Sequence, residues 1–263
     1  MKFIIRLTLL LFASLAPTDL WGGNSIKLLA IESEPIGYYD GELKKGFYVD
    51  ILREFSKRLN QVPVPDVLIV PFPRIIQALN HNRDGYVVSI LFPDLSLNDS
   101  VTQLSPVGYF YNAIISLKES PITWSNLKDK NIAIIRGTSK SYGDKITQLI
   151  HSDNISITPV TLFEQGLKML SLGRVDGNLG PVGGTLYWLD QINTDSNISI
   201  SEPLLINQLV SRLVVSVSPS ISESSKKAML ERMNKAISEL LREGVVKRII
   251  ELYIDEPQPP FDD

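Results

Sequence analysis

Residues 71–92, PFPRIIQALNHNRDGYVVSILF, decide how the chain is read, together with an echo of them at 163–181, FEQGLKMLSLGRVDGNLGP. Each copy opens with a short amphipathic helix, carried by Ile75, Ile76 and Leu79 in the first and by Leu167 and Leu170 in the second. Each helix reaches an Arg beside an Asp-Gly pair: Arg83 with Asp84 and Gly85, then Arg174 with Asp176 and Gly177. A segment that reads as a buried strand follows, YVVSIL in one copy and the shorter NLGP in the other. Asp-Gly between helix and strand is a turn signal, because Gly accepts the positive φ that ends a helix. Two units of one design predict two similar α/β lobes.

Working outward, 26–31 reads as a strand, 47–59 as a helix with Tyr48, Ile51, Leu52, Phe55 and Leu59 on one face, and 67–70 as a second strand. With the helix after Pro71 and the strand at 86–91, this strand–helix alternation implies parallel pairing through right-handed crossovers. Residues 93–106 carry no helix or strand pattern. Two long apolar segments, VGYFYNAIISL at 107–117 and LVSRLVVSV at 209–217, suit passage between lobes. Between them the pattern restarts: strand 132–135, helix 139–150, strand 155–160, the echo unit and a short helix at 183–189. In the tail, Ser220 with Glu223 suggests a capping box. A stripe of Leu230, Met233, Ile237, Leu240 and Leu241 follows, and Gly244 precedes a last helix at 245–253. The expected organisation is a signal peptide at 1–23, a first lobe at 24–108, a second at 109–208, and completion of the first by 209–263.

The 263 residues are 44% hydrophobic and 21% charged, enough for a substantial core, and the net charge of −3 offers nothing to nucleic acid or an anionic membrane. Lys2 and Arg6 ahead of the apolar run 7–16 match a secretory signal peptide with cleavage between residues 16 and 23. The run is short for a membrane span, an N-terminal anchor helix being the alternative. With no cysteine there can be no disulfide, thiol nucleophile, thiolate metal site or lipid-bearing cysteine. His81 and His151 lack neighbours for a metal site. No G-x-S-x-G, Walker or dinucleotide fingerprint occurs, and Ser125 with Lys128 makes an S-x-x-K without companion motifs. The reading is therefore a non-enzymatic protein without metal or cofactor.

In doubly wound α/β sheets ligands lie beyond the carboxyl ends of the strands. Gly137-Thr138-Ser139 follows a strand and opens a helix, so free N–H groups and two hydroxyls could take an anion or carbonyl there; otherwise Thr138 or Ser139 only caps its helix. Arg136 beside them faces the cleft or water. Arg74 in a first helical turn opposes the macrodipole, which suggests a use other than local stability. Ser89 ends an apolar strand. Tyr38, Phe72 and Phe92 sit in loops at strand ends and are candidates for stacking on a ligand. Tyr39, Phe47, Tyr109 and Tyr111 lie near lobe edges and are divided between core and cleft. Asp84 and Asp176 are turn-makers rather than a catalytic pair.

Several stretches resemble bacterial extracellular solute-binding proteins of family 3: GELKKGFYVDILREFSKRLN, PFPRIIQALNHNRDG, NLKDKNIAIIRGTS, LKMLSLGRVDG and MNKAISELLREGVVKRIIELY, in that order. The resemblance implies the type II periplasmic-binding fold, with hinge closure of two lobes over a small solute. It also implies a periplasmic, monomeric protein whose partner is a membrane permease of the ABC type or, alternatively, a sensor receptor; a few relatives are enzymes, so a dehydratase-like activity is the other alternative. Amino-acid binders of the family carry a Thr-x-x-Arg after the third strand and an Asp after the echo strand. Here those places read Phe92-Pro93-Asp94-Leu95 and Gly180-Pro181. Both halves of the amino-acid clamp are missing, so standard α-amino acids are expected to be poor ligands and the solute to be some other small polar or aromatic molecule.

Overall fold

The structure is a computed structural model that describes residues 25–60, 63–92, 97–138, 142–151, 154–193 and 198–254. The expected signal peptide, Ser139 and residues 93–95 lie outside these.

The first lobe is built from β1 (Ile26–Ile31), α1 (Phe47–Arg58), β4 (Val67–Val70), α2 (Phe72–Asn80) and β5 (Tyr86–Leu91), with a small hairpin of β2 (Tyr38–Asp40) and β3 (Leu43–Lys45) between β1 and α1. β1 pairs in parallel with both β4 and β5, as the strand–helix alternation requires. The second lobe holds β7 (Lys130–Ile135), α3 (Asp144–His151), β8 (Ile155–Val160), α4 (Phe163–Ser171), β9 (Gly177–Pro181) and α5 (Val182–Asn193). There β7 is flanked in parallel by β8 and β9.

Two long strands join the lobes. β6 (Val101–Ile115) and β10 (Leu204–Val217) run antiparallel to each other over most of their length. The late half of β10 pairs with β5 and the late half of β6 with β9, giving the order β4-β1-β5-β10-β6-β9-β7-β8. α6 (Glu223–Arg242) and α7 (Val245–Glu251) return to the first lobe, where Met229, Met233, Ala236, Ile237, Leu240, Val246 and Ile250 join its core. In the second lobe two smaller clusters form, one around Phe163 and Leu167, the other around Ile146 and Leu179. No helix among the described residues is long and apolar enough to cross a membrane.

Five expectations change. β6 starts at Val101, inside the stretch that carried no pattern. Its early half is only half-buried and includes Pro106, beside register shifts around Arg212, so period-2 alternation is lost. α3 starts at Asp144 rather than residue 139, and α5 is longer than the short helix expected. Ser222, not Ser220, caps α6 by accepting from the Ser225 N–H at 3.3 Å. Finally, the positive φ at the echo turn belongs to Gly173 (+64°), while Gly177 lies in β9. Gly177 serves close packing, since a Cβ there would come within 2.7 Å of Ile114 Cγ2. In the first unit Gly85 does take φ +59° as the turn reading expects. The two Asp side chains bond locally: Asp84 accepts from Ser25 Oγ at 3.2 Å and Asp176 from the Asn131 N–H at 2.8 Å.

Candidate functional site: the cleft between the lobes

The carboxyl ends of the parallel strands converge on one cavity. Ile31 ends β1, Phe72 follows β4, Phe92 follows β5, Ile135 ends β7, Phe163 follows β8 and Pro181 ends β9; all six line it. Phe110, Asn112 and Leu209 come from the two joining strands, and Phe47 with Tyr48 from the start of α1. The wall therefore carries five phenylalanines, at 47, 72, 92, 110 and 163. Phe92 meets Phe110 edge-on at 5.4 Å between ring centroids, and Phe47 stacks on Phe110 at 6.1 Å. The enclosed volume of about 80 Å³ is room for roughly five or more waters, or for a small ring, where a single water needs about 10–15 Å³.

The polar groups in this wall are few. Thr138 Oγ1 donates to the Ile135 carbonyl at 2.7 Å and shares a second hydrogen bond of 3.1 Å with Tyr142 Oη. Burial pushes the Tyr142 hydroxyl up to about 12, so it stays protonated. Asn112, on β6, donates through Nδ2 to Asn207 Oδ1 of β10 at 3.0 Å, tying the joining strands together beneath the cavity. Tyr48 is fully buried and its hydroxyl makes no hydrogen bond of good geometry, Ser211 being the nearby group. A buried unsatisfied hydroxyl costs about 1–3 kcal/mol. Tyr48→Phe is accordingly expected to raise the stability of the ligand-free protein by about 1 kcal/mol, read from the denaturant midpoint; destabilisation by as much would show that the hydroxyl is satisfied.

Glu34, in the loop after β1, spans the cleft. Its Oε1 accepts from Tyr187 Oη at 2.6 Å, and its carbonyl accepts from Trp188 Nε1 at 3.0 Å, both from α5 of the other lobe. Burial, then the hydrogen bond to Glu34 and its charge, push the Tyr187 hydroxyl far above the ordinary tyrosine range. Tyr38 beside it is raised too, by burial and then by Glu34. Both phenols remain protonated at ordinary pH.

Of the residues singled out in the sequence, Phe47, Phe72, Phe92 and Thr138 line the cavity. Tyr38 lines an adjoining recess with Glu34 and Trp188. Arg136 lines a separate recess beside Phe72 and Pro73 and is exposed. Arg74 is exposed and borders neither the cavity nor these recesses. Ser89 is buried within the first lobe, where its hydroxyl donates to the Leu29 carbonyl at 2.9 Å. Glu34, Tyr48, Asn112, Tyr142 and Phe163 were not proposed from sequence. Among the described residues no cluster of three His, Cys, Asp or Glu could hold a metal ion.

Solved structures share this fold at low identity. An ancestral arginine-binding protein bound to arginine is 21% identical with TM-score 0.67, over 87% of this chain and 97% of its own. The arginine third-transport-system periplasmic binding protein from Legionella pneumophila is 18% identical with TM-score 0.64, over 88% of this chain and all of its own. The GluR0 ligand-binding core from Nostoc punctiforme, in complex with L-glutamate, is 14% identical with TM-score 0.65, over 88% and 99%. No curated protein matches by sequence. The sequence profile of bacterial extracellular solute-binding proteins, family 3, matches residues 28–256, nearly the whole described chain, and the protein belongs to that family.

Proposed function

We propose that this chain is an exported, monomeric binding protein whose lobes close over a small solute of apolar or aromatic character, not a standard α-amino acid, and deliver it to an ABC-type membrane transporter. One observation carries the reading: the cavity is walled by five phenylalanines, and none of its described lining residues is Lys or Arg. An α-carboxylate in such a wall would lose the charge-assisted hydrogen bonds that offset its desolvation, each about 1.5–3 kcal/mol. Two such bonds correspond to a hundredfold or more in affinity. Gly180-Pro181, where the family resemblance puts a carboxylate for the α-amino group, carries none, and Pro181 borders the cavity. The two joining strands supply the hinge, since among the described residues they are the elements that continue through both lobes.

Calorimetric titration with the twenty amino acids tests the reading, with no dissociation constant below micromolar expected; one sub-micromolar ligand overturns it. Scattering with a confirmed ligand should show a smaller radius of gyration, and an unchanged one would remove closure from the account.

A further inference from the structure

We propose that the solute is an ammonium: an aromatic or alkyl amine whose positive charge is read by Glu34 while its body lies against the phenylalanine wall. This rests on the cavity being the solute site, as proposed above. Glu34 is the one charged side chain among the described residues that line the cavity. It is half-buried, and among the described residues it has no ion-pair partner. Its Oε1 accepts from Tyr187, a neutral phenol that solvates the charge without cancelling it. Its Oε2 has no partner among the described residues. A carboxylate shut into a closing, apolar cleft is costly unless a cation meets it as water leaves.

The rest of the wall suits the same ligand. Aromatic faces attract a desolvated ammonium through their quadrupoles, and they bury an apolar body at the same time. An anionic solute would meet the Glu34 charge with no described cation to offset it. A neutral solute would leave that charge uncompensated as the cleft loses water. An α-amino acid carries the ammonium but brings a carboxylate for which the described wall holds no partner.

The probes are phenethylamine, 2-phenylethanol, 3-phenylpropionate and phenylalanine, which share a ring and differ in the polar group. Titrated calorimetrically into the purified protein, phenethylamine is expected to bind about ten- to a hundredfold more tightly than 2-phenylethanol, the span of one hydrogen bond to a charged group. 3-Phenylpropionate should bind weakest. Glu34→Gln should reduce the amine's advantage to about threefold or less, because the amide keeps shape and hydrogen bonding but not charge. Tyr187→Phe removes the cross-cleft bond and keeps the carboxylate, so the preference should persist. Equal binding of amine and alcohol by the unaltered protein, or a preference that survives Glu34→Gln, overturns this inference while leaving the apolar reading in place. Sub-micromolar phenylalanine overturns the underlying reading, and no binding of any probe overturns both. If Glu34→Gln does not fold, the probe series on the unaltered protein and on Tyr187→Phe still decides.

Discussion

Gly46→Ala is expected to destabilise the protein by about 4 kcal/mol, near the top of the range for single substitutions. Gly46 precedes α1 with φ +122° and ψ 151°, a conformation essentially reserved for glycine. Holding alanine there costs of order 1–3 kcal/mol in backbone strain. An added Cβ would also overlap the Ile36 carbonyl oxygen and stand 2.6 Å from Ile36 C and 2.7 Å from Gly37 Cα. These are backbone atoms with no rotamer to escape into. They are pinned as well: the Phe47 and Tyr48 N–H groups donate to the carbonyls of Pro35 and Ile36 at 3.1 Å. The strand-end loop can yield only by moving Glu34, Pro35 and Ile36, all of which line the cavity, so ligand affinity should fall with stability. Gly41→Ala is the control. Gly41 has φ +60° with nothing within 4 Å of the added Cβ, so strain alone applies, about 1 kcal/mol. Denaturant melts of both variants separate the two contributions. A loss below about 1 kcal/mol for Gly46→Ala would mean that the loop relaxes freely.

That loop also shows where sequence reasoning reaches and where it stops. β5 is buried at every position and β1 at all but one, so their continuous apolar runs place them to the residue. Helix faces, turns and strand ends follow from local chemistry, and Phe72, Phe92 and Thr138, which stand at strand ends, border the cavity. The cavity-lining residues that escaped the sequence reading depend on distant partners. Glu34 sits in the Pro- and Gly-rich loop after Ile31, and its link to the other lobe appears only when α5 brings Tyr187 across the cleft. Asn112 reads as a polar break in an apolar strand until β10 sets Asn207 against it. Tyr48 fits the buried period of α1, and nothing in that period says that its hydroxyl lacks a partner. Arg74 illustrates the converse. A charge placed against the helix dipole declares a local cost, but not a direction, and its side chain lies in solvent.

Gly180→Ala should damage binding more than its single methyl group suggests. Gly180 lies in β9 opposite Ala113 of β6, and a Cβ there would overlap Phe163 Cε2 and stand 2.9 Å from Cδ2 and Cζ. Phe163 is buried among Ala113, Ala133, Val160 and Leu167, a close-packed cluster with little slack. The free space that its ring borders is the cavity between the lobes, the solute site proposed above. Overpacking costs about 1–3 kcal/mol, and the cheapest relief tips the ring into that space. In a cavity of about 80 Å³ a displaced phenyl edge competes directly with a solute. The expected result is a stability loss of about 2 kcal/mol together with at least about a tenfold loss of affinity for the tightest phenyl probe, where 1.4 kcal/mol corresponds to each factor of ten. A double-mutant cycle checks the cause. Phe163→Ala alone should cost about 3–5 kcal/mol by leaving a void, but in the Gly180→Ala background it also removes the clash, so its cost should fall by 1 kcal/mol or more. Additive costs within about 0.5 kcal/mol would show that the added methyl is absorbed elsewhere and that the ring never enters the cleft.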